Sequence, residues 1–373
     1  MKILHVIHPD LKFIKWATSF INTYLEKDEH DILYINNGQS SLINADIDNR
    51  QIEIYIKSKF DLISMKKILC VSRRYDFVVF HSLFLNLFLK IMLAFDKKVL
   101  KKMVWIGFGG DLYPSVEETA IHRIHFKLRE RITKYIFAYV GIFPLDCEYF
   151  KEKFPESKAK VYFAPYYGTP EEYKCYNSSS RLQETLEKGE SIYILIGHSA
   201  VKTMGHIEVL DYLKKFSDKD IKLLIPLSYG NKEYAEEVEK YAQKILKGKV
   251  ICLRTFMKRE DYFNLLERVD IAIFNTNRQS ALGSVLKMIF QNVKIYMPEG
   301  SVMYRYFRSK FVPISKISEL SECSYDELVS LPVYENKDMC VEFIKSFGDE
   351  SLYIDPWKKI YDDLRSFSLN EAK

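Results

Sequence analysis

The fold of this chain is constrained most by short apolar segments of β type that alternate with helical segments. Continuous apolar strands separated by helices are typical of a parallel sheet that is covered on both faces. The alternation predicts a first Rossmann-like domain over residues 1–168. Its predicted strands are residues 3–7, 32–35, 52–56, 77–81, 103–107 and 137–143.

The alternation starts again after a polar stretch, residues 169–190, which contains an Asn-Ser-Ser-Ser run and is predicted to be a linker. A chain of 373 residues also exceeds what one hydrophobic core usually supports. We therefore predict a second Rossmann-like domain at residues 191–345 and a C-terminal segment, residues 346–373, that contains an amphipathic helix. The second domain's predicted strands are residues 192–196, 222–226, 250–253, 271–274 and 294–297.

Two such domains in succession predict the GT-B architecture of many glycosyltransferases, an α/β fold in which two parallel sheets face a central cleft. Open α/β sheets bind ligands beyond the carboxyl ends of their strands. Residues 1–168 are then expected to bind an acceptor, and residues 191–345 a nucleotide sugar. By analogy, the final helix would cross back onto the N-terminal domain.

Two passages of the second domain resemble halves of a diphosphate cradle. They are SIYILIGHSAVKTMGHIEVL, residues 191–210, and DIAIFNTNRQSALGSVLKMIF, residues 270–290. Each runs from a β-type segment through a Gly/Ser/Asn loop into a helix, which aims backbone N–H groups and a positive helix end at an anion. A departing nucleoside diphosphate needs this stabilisation. Strand-glycine-helix turns also occur in α/β proteins that bind no phosphate.

Side chains in these loops suit phosphate and nucleoside contacts. Lys202 would neutralise phosphate, and Arg278 is the preferred diphosphate contact, although a solvated loop arginine is the alternative. The turn IPLSYG at residues 225–230 would hold a base or a ribose. The candidate donor-binding residues are Gly197, Ser199, Lys202, His206, Pro226, Tyr229, Arg278, Gln279, Gly283 and Ser284.

The most distinctive motif of the first half is VWIGFGGDLYP, residues 104–114. Its glycines allow close backbone approach to a ligand, and Asp111 at a strand end would orient or deprotonate an acceptor hydroxyl. The alternative is that Asp111 caps the following turn. Tyr113, His8 and His81 are the acceptor-side candidates, although strand-end histidines such as His5, His8 and His81 are more often structural.

Composition disfavours several other classes. A net charge of +5 is too mild to indicate nucleic acid, and the six cysteines lack disulfide or zinc spacing. The chain has no GxGxxG, Walker A or HExxH motif, which disfavours a dehydrogenase, a P-loop ATPase and a zincin. One DxD, at residues 46–48, lacks a preceding strand, so we predict no essential metal and no cofactor.

Nothing in the sequence predicts a membrane-spanning helix. The longest apolar stretch, residues 83–95, is about 13 residues long, whereas a spanning helix needs about 20, so a buried helix is predicted. The N-terminus enters a strand directly, without signal-peptide features, which predicts a cytoplasmic location. Residues 120–137 combine basic side chains with an apolar stripe, which suits either an anionic lipid surface or packing on the sheet.

Four passages together resemble glycosyltransferase family 56, the family of 4-alpha-L-fucosyltransferases that transfer Fuc4NAc in enterobacterial common antigen synthesis. The passages are VWIGFGGDLY, ILIGHSA with the following His-Ile, IPLSYG and NRQSALGSVLKMIFQ. The resemblance implies a metal-independent GT-B enzyme that moves a deoxy-amino sugar from a dTDP donor to an undecaprenyl-diphosphate-linked glycan. It also implies peripheral attachment to the cytoplasmic face of the inner membrane.

The residues that match the family's motifs are Asp111, Tyr113, Gly197, Ser199, His206, Arg278, Gln279 and Gly283. Two other functions remain open at this point. A nucleotide-sugar 2-epimerase shares the fold but needs carboxylates around the sugar ring and no lipid acceptor. A non-catalytic membrane scaffold of a polysaccharide assembly complex would bind membrane without dTDP.

Overall fold

A computed structural model describes residues 1–7, 11–36, 50–114, 119–166 and 191–371. The chain divides into two compact units. The N-terminal unit comprises Met1–Tyr173 and Asp349–Lys373, and the C-terminal unit comprises Lys174–Gly348. The predicted linker, His8 and the DxD motif all lie outside the described residues.

The described part of the N-terminal unit contains a seven-stranded parallel sheet with the order β3-β2-β1-β4-β5-β6-β7. Its central strands are apolar and buried, which is expected for strands covered on both faces. The strands are β1 (Lys2–Ile7), β2 (Glu29–Asn36), β3 (Arg50–Tyr55), β4 (Phe77–His81), β5 (Met103–Gly107), β6 (Ala138–Gly141) and β7 (Lys160–Phe163).

Helices connect these strands, and short polar side chains define where several of them begin. Asn86 accepts a hydrogen bond from Phe88 N, so the helix predicted over residues 83–95 begins only at Leu87. Thr119 caps the basic helix in the same way. The helices are α1 (Leu11–Tyr24), α2 (Leu62–Ser72), α3 (Leu87–Phe95), α4 (Lys97–Leu100), α5 (Ala120–Thr133) and α6 (Pro144–Lys153).

The described part of the C-terminal unit contains a six-stranded parallel sheet with the order β10-β9-β8-β11-β12-β13. Its strands are β8 (Ile192–Ile196), β9 (Ile221–Pro226), β10 (Val250–Leu253), β11 (Ile271–Ile273), β12 (Lys294–Met297) and β13 (Ile314–Lys316). Its helices are α7 (His206–Leu213), α8 (Lys232–Ile245), α9 (Arg259–Leu266), α10 (Leu282–Phe290), α11 (Val302–Ser309), α12 (Tyr325–Val329) and α13 (Lys337–Ser346).

The C-terminal helix α14 (Ser351–Glu371) packs on the N-terminal unit. Its buried side chains Trp357, Ile360, Tyr361 and Leu364 recur at helical spacing and join the core over β1 and β4. Trp357 Nε1 donates to the backbone carbonyl of Pro165 at 2.7 Å. This helix therefore completes the hydrophobic core of the N-terminal unit.

The predicted α/β fold with two parallel sheets is confirmed, and two edge strands were missed. β7 is half-exposed and β13 has three residues, so neither presents the continuous apolar run that identified the inner strands. Within the described ranges, no helix is both long and apolar enough to cross a membrane.

Candidate active site

Three loops of the C-terminal unit lie side by side at one edge of its sheet. β8 pairs with β9 on one side and with β11 on the other. Because parallel strands end at the same edge, the loops that follow these strands are neighbours. They contain most of the predicted donor-binding residues, so this edge is the candidate donor side.

The loop after β8 begins with Gly197, which has a left-handed backbone conformation with φ of +63°. A Cβ atom here would lie 2.8 Å from Nε2 of His206, so glycine lets the chain pass closely over this imidazole. His206 is fully buried, and burial lowers its pKa to about 4, which keeps the ring neutral. His206 packs against the backbone of this loop at Gly197. Direct contact between His206 and the nucleotide-sugar donor stays a prediction.

His198 links the loop after β8 to the loop after β11. Its Nε2 lies 3.1 Å from the hydroxyl of Ser280 and 3.4 Å from that of Ser199. Burial lowers the pKa of His198 to about 3, and the charge of Arg278 acts in the same direction. The sequence analysis did not select His198 or Ser280, and the only signal for them was their position beside selected loop residues.

Tyr229 and Arg278 belong to the loops on either side of His198. Tyr229 is 51% exposed, and its ring centre lies 5.9 Å from that of His198. Arg278 is half-buried, and its charge lowers the pKa of the His198 ring and opposes the effect of burial on the pKa of Tyr229. An arginine and an exposed aromatic ring on neighbouring loops suit a phosphate next to a base or a sugar.

The loop after β9 is tied to the loop after β8 through the backbone. Ala200 N donates to Tyr229 O, and Asn231 N donates to Ala200 O, both at 2.8 Å. Gly230 lies between them with φ of +117°. These bonds fix the backbone that carries Tyr229.

The amino-terminal end of α10 completes the donor side. The helix begins at Leu282, so Gly283 and Ser284 lie in its first turn, where N–H groups have no acceptor within a helix. Ala281 before it has φ of +51° and makes no side-chain cap. Such a helix end favours an anion. Of the other candidates, Gln279 is buried in the preceding loop, Lys202 is exposed, and Pro226 ends β9 in the core.

In the N-terminal unit, Asp111 holds the loop that follows β5. Its Oδ2 accepts from Leu83 N at 2.7 Å and from Trp105 Nε1 at 2.8 Å, and its Oδ1 accepts from Phe108 N at 2.7 Å. The side chain is 2% exposed. These contacts support the alternative in which Asp111 organises the loop, and its direct part in catalysis stays a prediction.

Tyr113 is directed into the protein. Its hydroxyl donates to Oδ1 of Asp146 at 2.7 Å, and its ring lies 4.3 Å from that of Tyr149. Arg129 Nη1 donates to the Leu112 carbonyl at 2.5 Å and so fixes the same segment. The structure thus assigns Tyr113 a contact with α6, and its predicted acceptor contact stays a prediction.

His81 ends β4 and lines an apolar pocket at the carboxyl edge of the sheet. Its Nε2 lies 2.9 Å from His5 Nδ1, and its Nδ1 lies 2.7 Å from the Tyr166 hydroxyl. Sequence reasoning did not select Tyr166, because nothing in the sequence places it beside β4. The pocket is lined by Val6, Ile7, Ile35, Ile56, His81, Ser82, Phe84, Leu85, Asn86 and Leu89.

Among the described residues, no group of three or more His, Cys, Asp or Glu side chains is arranged to hold a metal ion. The side chains gathered at the donor side are hydroxyl, imidazole, phenol and guanidinium groups. They bind anions and sugars by hydrogen bonding and charge.

Solved structures with the same fold extend over nearly the whole chain. Sucrose-phosphate synthase from Thermosynechococcus elongatus matches with a TM-score of 0.68 at 9% identity, covering 98% of this chain and 99% of that one. HepE from Anabaena, in complex with UDP and glucose, matches with a TM-score of 0.66 at 12% identity, covering 98% and 100%. The Candida albicans trehalose-6-phosphate phosphatase N-terminal domain matches with a TM-score of 0.62 at 12% identity, covering 98% and 96%.

These likenesses show that the chain has the GT-B fold. The family model described as 4-alpha-L-fucosyltransferase, glycosyl transferase group 56, matches residues 2–320. That range includes all three donor-side loops and the loop that Asp111 holds. The chain belongs to glycosyl transferase group 56 and is a glycosyltransferase.

Proposed function

We propose that this glycosyltransferase moves a deoxy-amino sugar of the Fuc4NAc type from a dTDP-linked donor to an undecaprenyl-diphosphate-linked oligosaccharide. The observation that carries the proposal is the family match over residues 2–320. We propose the C-terminal unit as the donor side and the N-terminal unit as the acceptor side. The reaction would take place at the cytoplasmic face of the inner membrane, with the enzyme attached peripherally.

The donor side has the chemistry that a departing nucleoside diphosphate requires. Negative charge develops on the β-phosphate as the sugar bond breaks, and donors placed in advance stabilise it. Arg278 supplies charge, and the first turn of α10 supplies N–H groups and a positive helix end. HepE, which has the same fold, holds UDP and glucose. This supports a nucleotide-sugar donor here.

We expect dTDP to raise the melting temperature of the protein more than UDP, GDP, CMP or ADP. A ligand that binds only the folded state adds about 2.7 kcal/mol at 100 times its Kd, which a thermal-shift assay detects readily. EDTA should leave the shift unchanged. Equal stabilisation by UDP would overturn the proposed base, and no response to any nucleotide would overturn the donor site.

Arg278→Ala tests the donor side at one residue. A lost hydrogen bond to a charged group costs about 1.5 to 3 kcal/mol, so dTDP affinity should fall about tenfold to a hundredfold. Arg305→Ala is a matched control, since Arg305 is an exposed arginine of the same unit, on α11. Equal dTDP affinities of the two variants would show that Arg278 does not bind the nucleotide.

An exposed apolar surface of the N-terminal unit supports membrane attachment. Phe60, Leu62, Ile63 and Phe84, which we call the Phe60 patch, are 61%, 51%, 85% and 53% exposed. The Phe60 ring lies 5.2 Å from that of Phe88 in a tilted arrangement, which connects the patch to α3. Exposed lysines lie near Phe60 and Ile63 in the sequence, and such a combination favours insertion into an anionic bilayer. These lysines are Lys57, Lys59, Lys66 and Lys67.

The double variant Phe60→Glu/Ile63→Glu should lower affinity for phosphatidylglycerol-containing vesicles by at least tenfold. Burying a Phe or Ile side chain is worth about 1.5 to 3 kcal/mol, and the new carboxylates repel the anionic surface. A sedimentation assay with the purified protein measures the change. Val333→Glu is the control, because Val333 is 82% exposed in the C-terminal unit. Undiminished vesicle binding by the double variant would show that the Phe60 patch does not contact the membrane.

A further inference from the structure

A chain of hydrogen bonds joins three histidines and one tyrosine of the N-terminal unit. His30 Nδ1 lies 2.9 Å from His5 Nε2, and His5 Nδ1 lies 2.9 Å from His81 Nε2. His81 Nδ1 lies 2.7 Å from the Tyr166 hydroxyl. The histidines come from β2, β1 and β4, which are adjacent in the sheet. This hydrogen-bond chain therefore leads from the core of the N-terminal unit to Tyr166, which follows β7.

The three imidazoles are neutral at neutral pH. Burial lowers the pKa of His30 to about 4 and that of His81 to about 3, and it lowers the pKa of His5 well below the usual value. At His30 the nearby Asp28 opposes burial, while Arg365 and the N-terminal amino group add to it. A neutral imidazole has one N–H donor and one acceptor nitrogen. All hydrogen bonds of the chain must therefore point in one direction.

Two arrangements satisfy this condition. Either all three histidines are protonated on Nε2 and the Tyr166 hydroxyl donates to Nδ1 of His81, or all three are protonated on Nδ1 and His81 donates to the Tyr166 oxygen. In both arrangements the bond to His81 fixes the orientation of the Tyr166 hydroxyl.

Tyr166 lies at the carboxyl edge of the sheet, where ligands of such sheets bind. Its ring is half-buried and packs 4.8 Å from that of Phe108, in the loop that Asp111 holds. Ser82, directly after His81, has φ of +88°, a strained conformation for a residue other than glycine. Such strain is concentrated at functional sites. The loops after β4 and β5 thus lie beside Tyr166, where the hydrogen-bond chain ends.

We infer that the Tyr166 hydroxyl binds the attacking hydroxyl of the acceptor glycan and orients it, while the histidine chain holds the Tyr166 hydroxyl in place through its hydrogen bond to His81. Tyr166 is then a catalytic residue, and His5, His30 and His81 are positioning residues. This inference rests on the proposed transferase function and names the group that meets the acceptor. The bond to His81 limits rotation of the Tyr166 hydroxyl, so the acceptor hydroxyl meets a hydrogen-bonding group of fixed orientation.

Nitrogen-15 NMR of the whole protein tests the chain without any substrate. Two-bond couplings distinguish the two neutral tautomers, and at pH 7.5 we expect His5, His30 and His81 to carry their proton on the same nitrogen, either Nε2 in all three or Nδ1 in all three. Different tautomers among the three rings, or a charged ring, would overturn the inference. This result does not depend on which sugar the enzyme transfers.

Kinetics test the role of Tyr166. Tyr166→Phe should lower kcat for transfer about tenfold, since a lost hydrogen bond no longer orients the nucleophile. KM for the donor and the slow hydrolysis of the donor by water should stay unchanged. His5→Gln should lower kcat in the same selective way, because it interrupts the chain without touching substrate.

Tyr162→Phe is the matched control, because it removes a hydroxyl from β7 that donates to Asp363 at 2.9 Å, outside the chain. Its kcat should equal that of the wild type. Full transfer by Tyr166→Phe, or equal losses of transfer and hydrolysis, would overturn the role of Tyr166. If the wild type binds dTDP-sugar yet transfers nothing, the proposed function fails instead.

Discussion

Lowering the pH from 7.5 to 5.0 is expected to lower the free energy of unfolding of the N-terminal unit by about 4 kcal/mol through His30 and His81, and His5 adds to this loss. The cause is the three buried histidines of the chain, which are 0%, 7% and 3% exposed at positions 5, 30 and 81. Burial lowers the pKa of each in the folded state. In the unfolded chain each returns to a pKa of about 6.5.

The sign follows from proton binding. Between pH 6.5 and about 4 the unfolded chain binds protons that the folded protein does not, so acid favours unfolding. The stabilisation is fully present above pH 6.5 and is lost as the pH falls toward the folded pKa values. At pH 5.0 His30 and His81 each contribute a loss of about 2 kcal/mol, and His5 acts in the same direction. This loss is a large part of the roughly 5 to 15 kcal/mol by which a typical domain is stable.

Urea unfolding at pH 7.5, 6.5, 5.5 and 5.0 measures this effect. His5→Gln should reduce the dependence of the unfolding free energy on pH, because it removes one of the three imidazoles that burial keeps neutral in the folded protein. His122→Gln, which changes a partly exposed histidine of α5, should leave the dependence unchanged. An unfolding free energy that is flat between pH 7.5 and 5.0 would contradict neutral burial.

The inner strands were predictable because burial on both faces demands continuous apolar runs. The inner strands at residues 77–81, 103–107, 192–196 and 294–297 were placed at their observed bounds. The half-exposed edge strand β7 begins with a lysine and was missed, whereas the half-exposed edge strand β10 was found because its four residues are all apolar. The predicted start of a helix at residue 83 was wrong, because Asn86 is the N-cap and the helix therefore begins at Leu87.

Part of the candidate site could likewise be predicted from the sequence, and part of it could not. The donor loops were found because glycine and hydroxyl residues follow apolar strands directly in the sequence. The histidine chain was not found, because it depends on the strand order β2-β1-β4 and on Tyr166 reaching His81 from 85 residues away. Similarly, the three donors that hold Asp111 come from two separate loops and a strand. Sequence patterns identify loops, whereas these contacts require the sheet topology.

Gly230→Ala is expected to destabilise the C-terminal unit by about 3 kcal/mol or more and to abolish detectable dTDP binding. A Cβ atom here would lie 2.4 Å from the carbonyl oxygen and 2.7 Å from the carbonyl carbon of Ala200. These are backbone atoms, so no side-chain rotation relieves the clash. The φ of +117° adds strain for any residue that carries a Cβ.

The consequence for binding follows from the loop contacts. Moving residue 230 away from Ala200 breaks the two backbone hydrogen bonds between the loops after β8 and β9. Tyr229 and Ser199, which lie on these two loops, then lose their relative positions. A site that must place donors against a diphosphate tolerates shifts of about 1 Å poorly. The variant should therefore lose nucleotide-dependent stabilisation even where it remains folded.

Two other glycines of the C-terminal unit separate the cost of backbone strain from the cost of the clash with Ala200. Gly248 has φ of +76°, and a Cβ atom added there would have nothing within 4 Å, so Gly248→Ala should cost only the backbone strain, about 1 kcal/mol. Gly300 has open space and no left-handed φ, so Gly300→Ala should be nearly neutral. Both should bind dTDP like the wild type. If Gly230→Ala matched Gly248→Ala in unfolding and in binding, the close approach of Ala200 would not hold the donor side together.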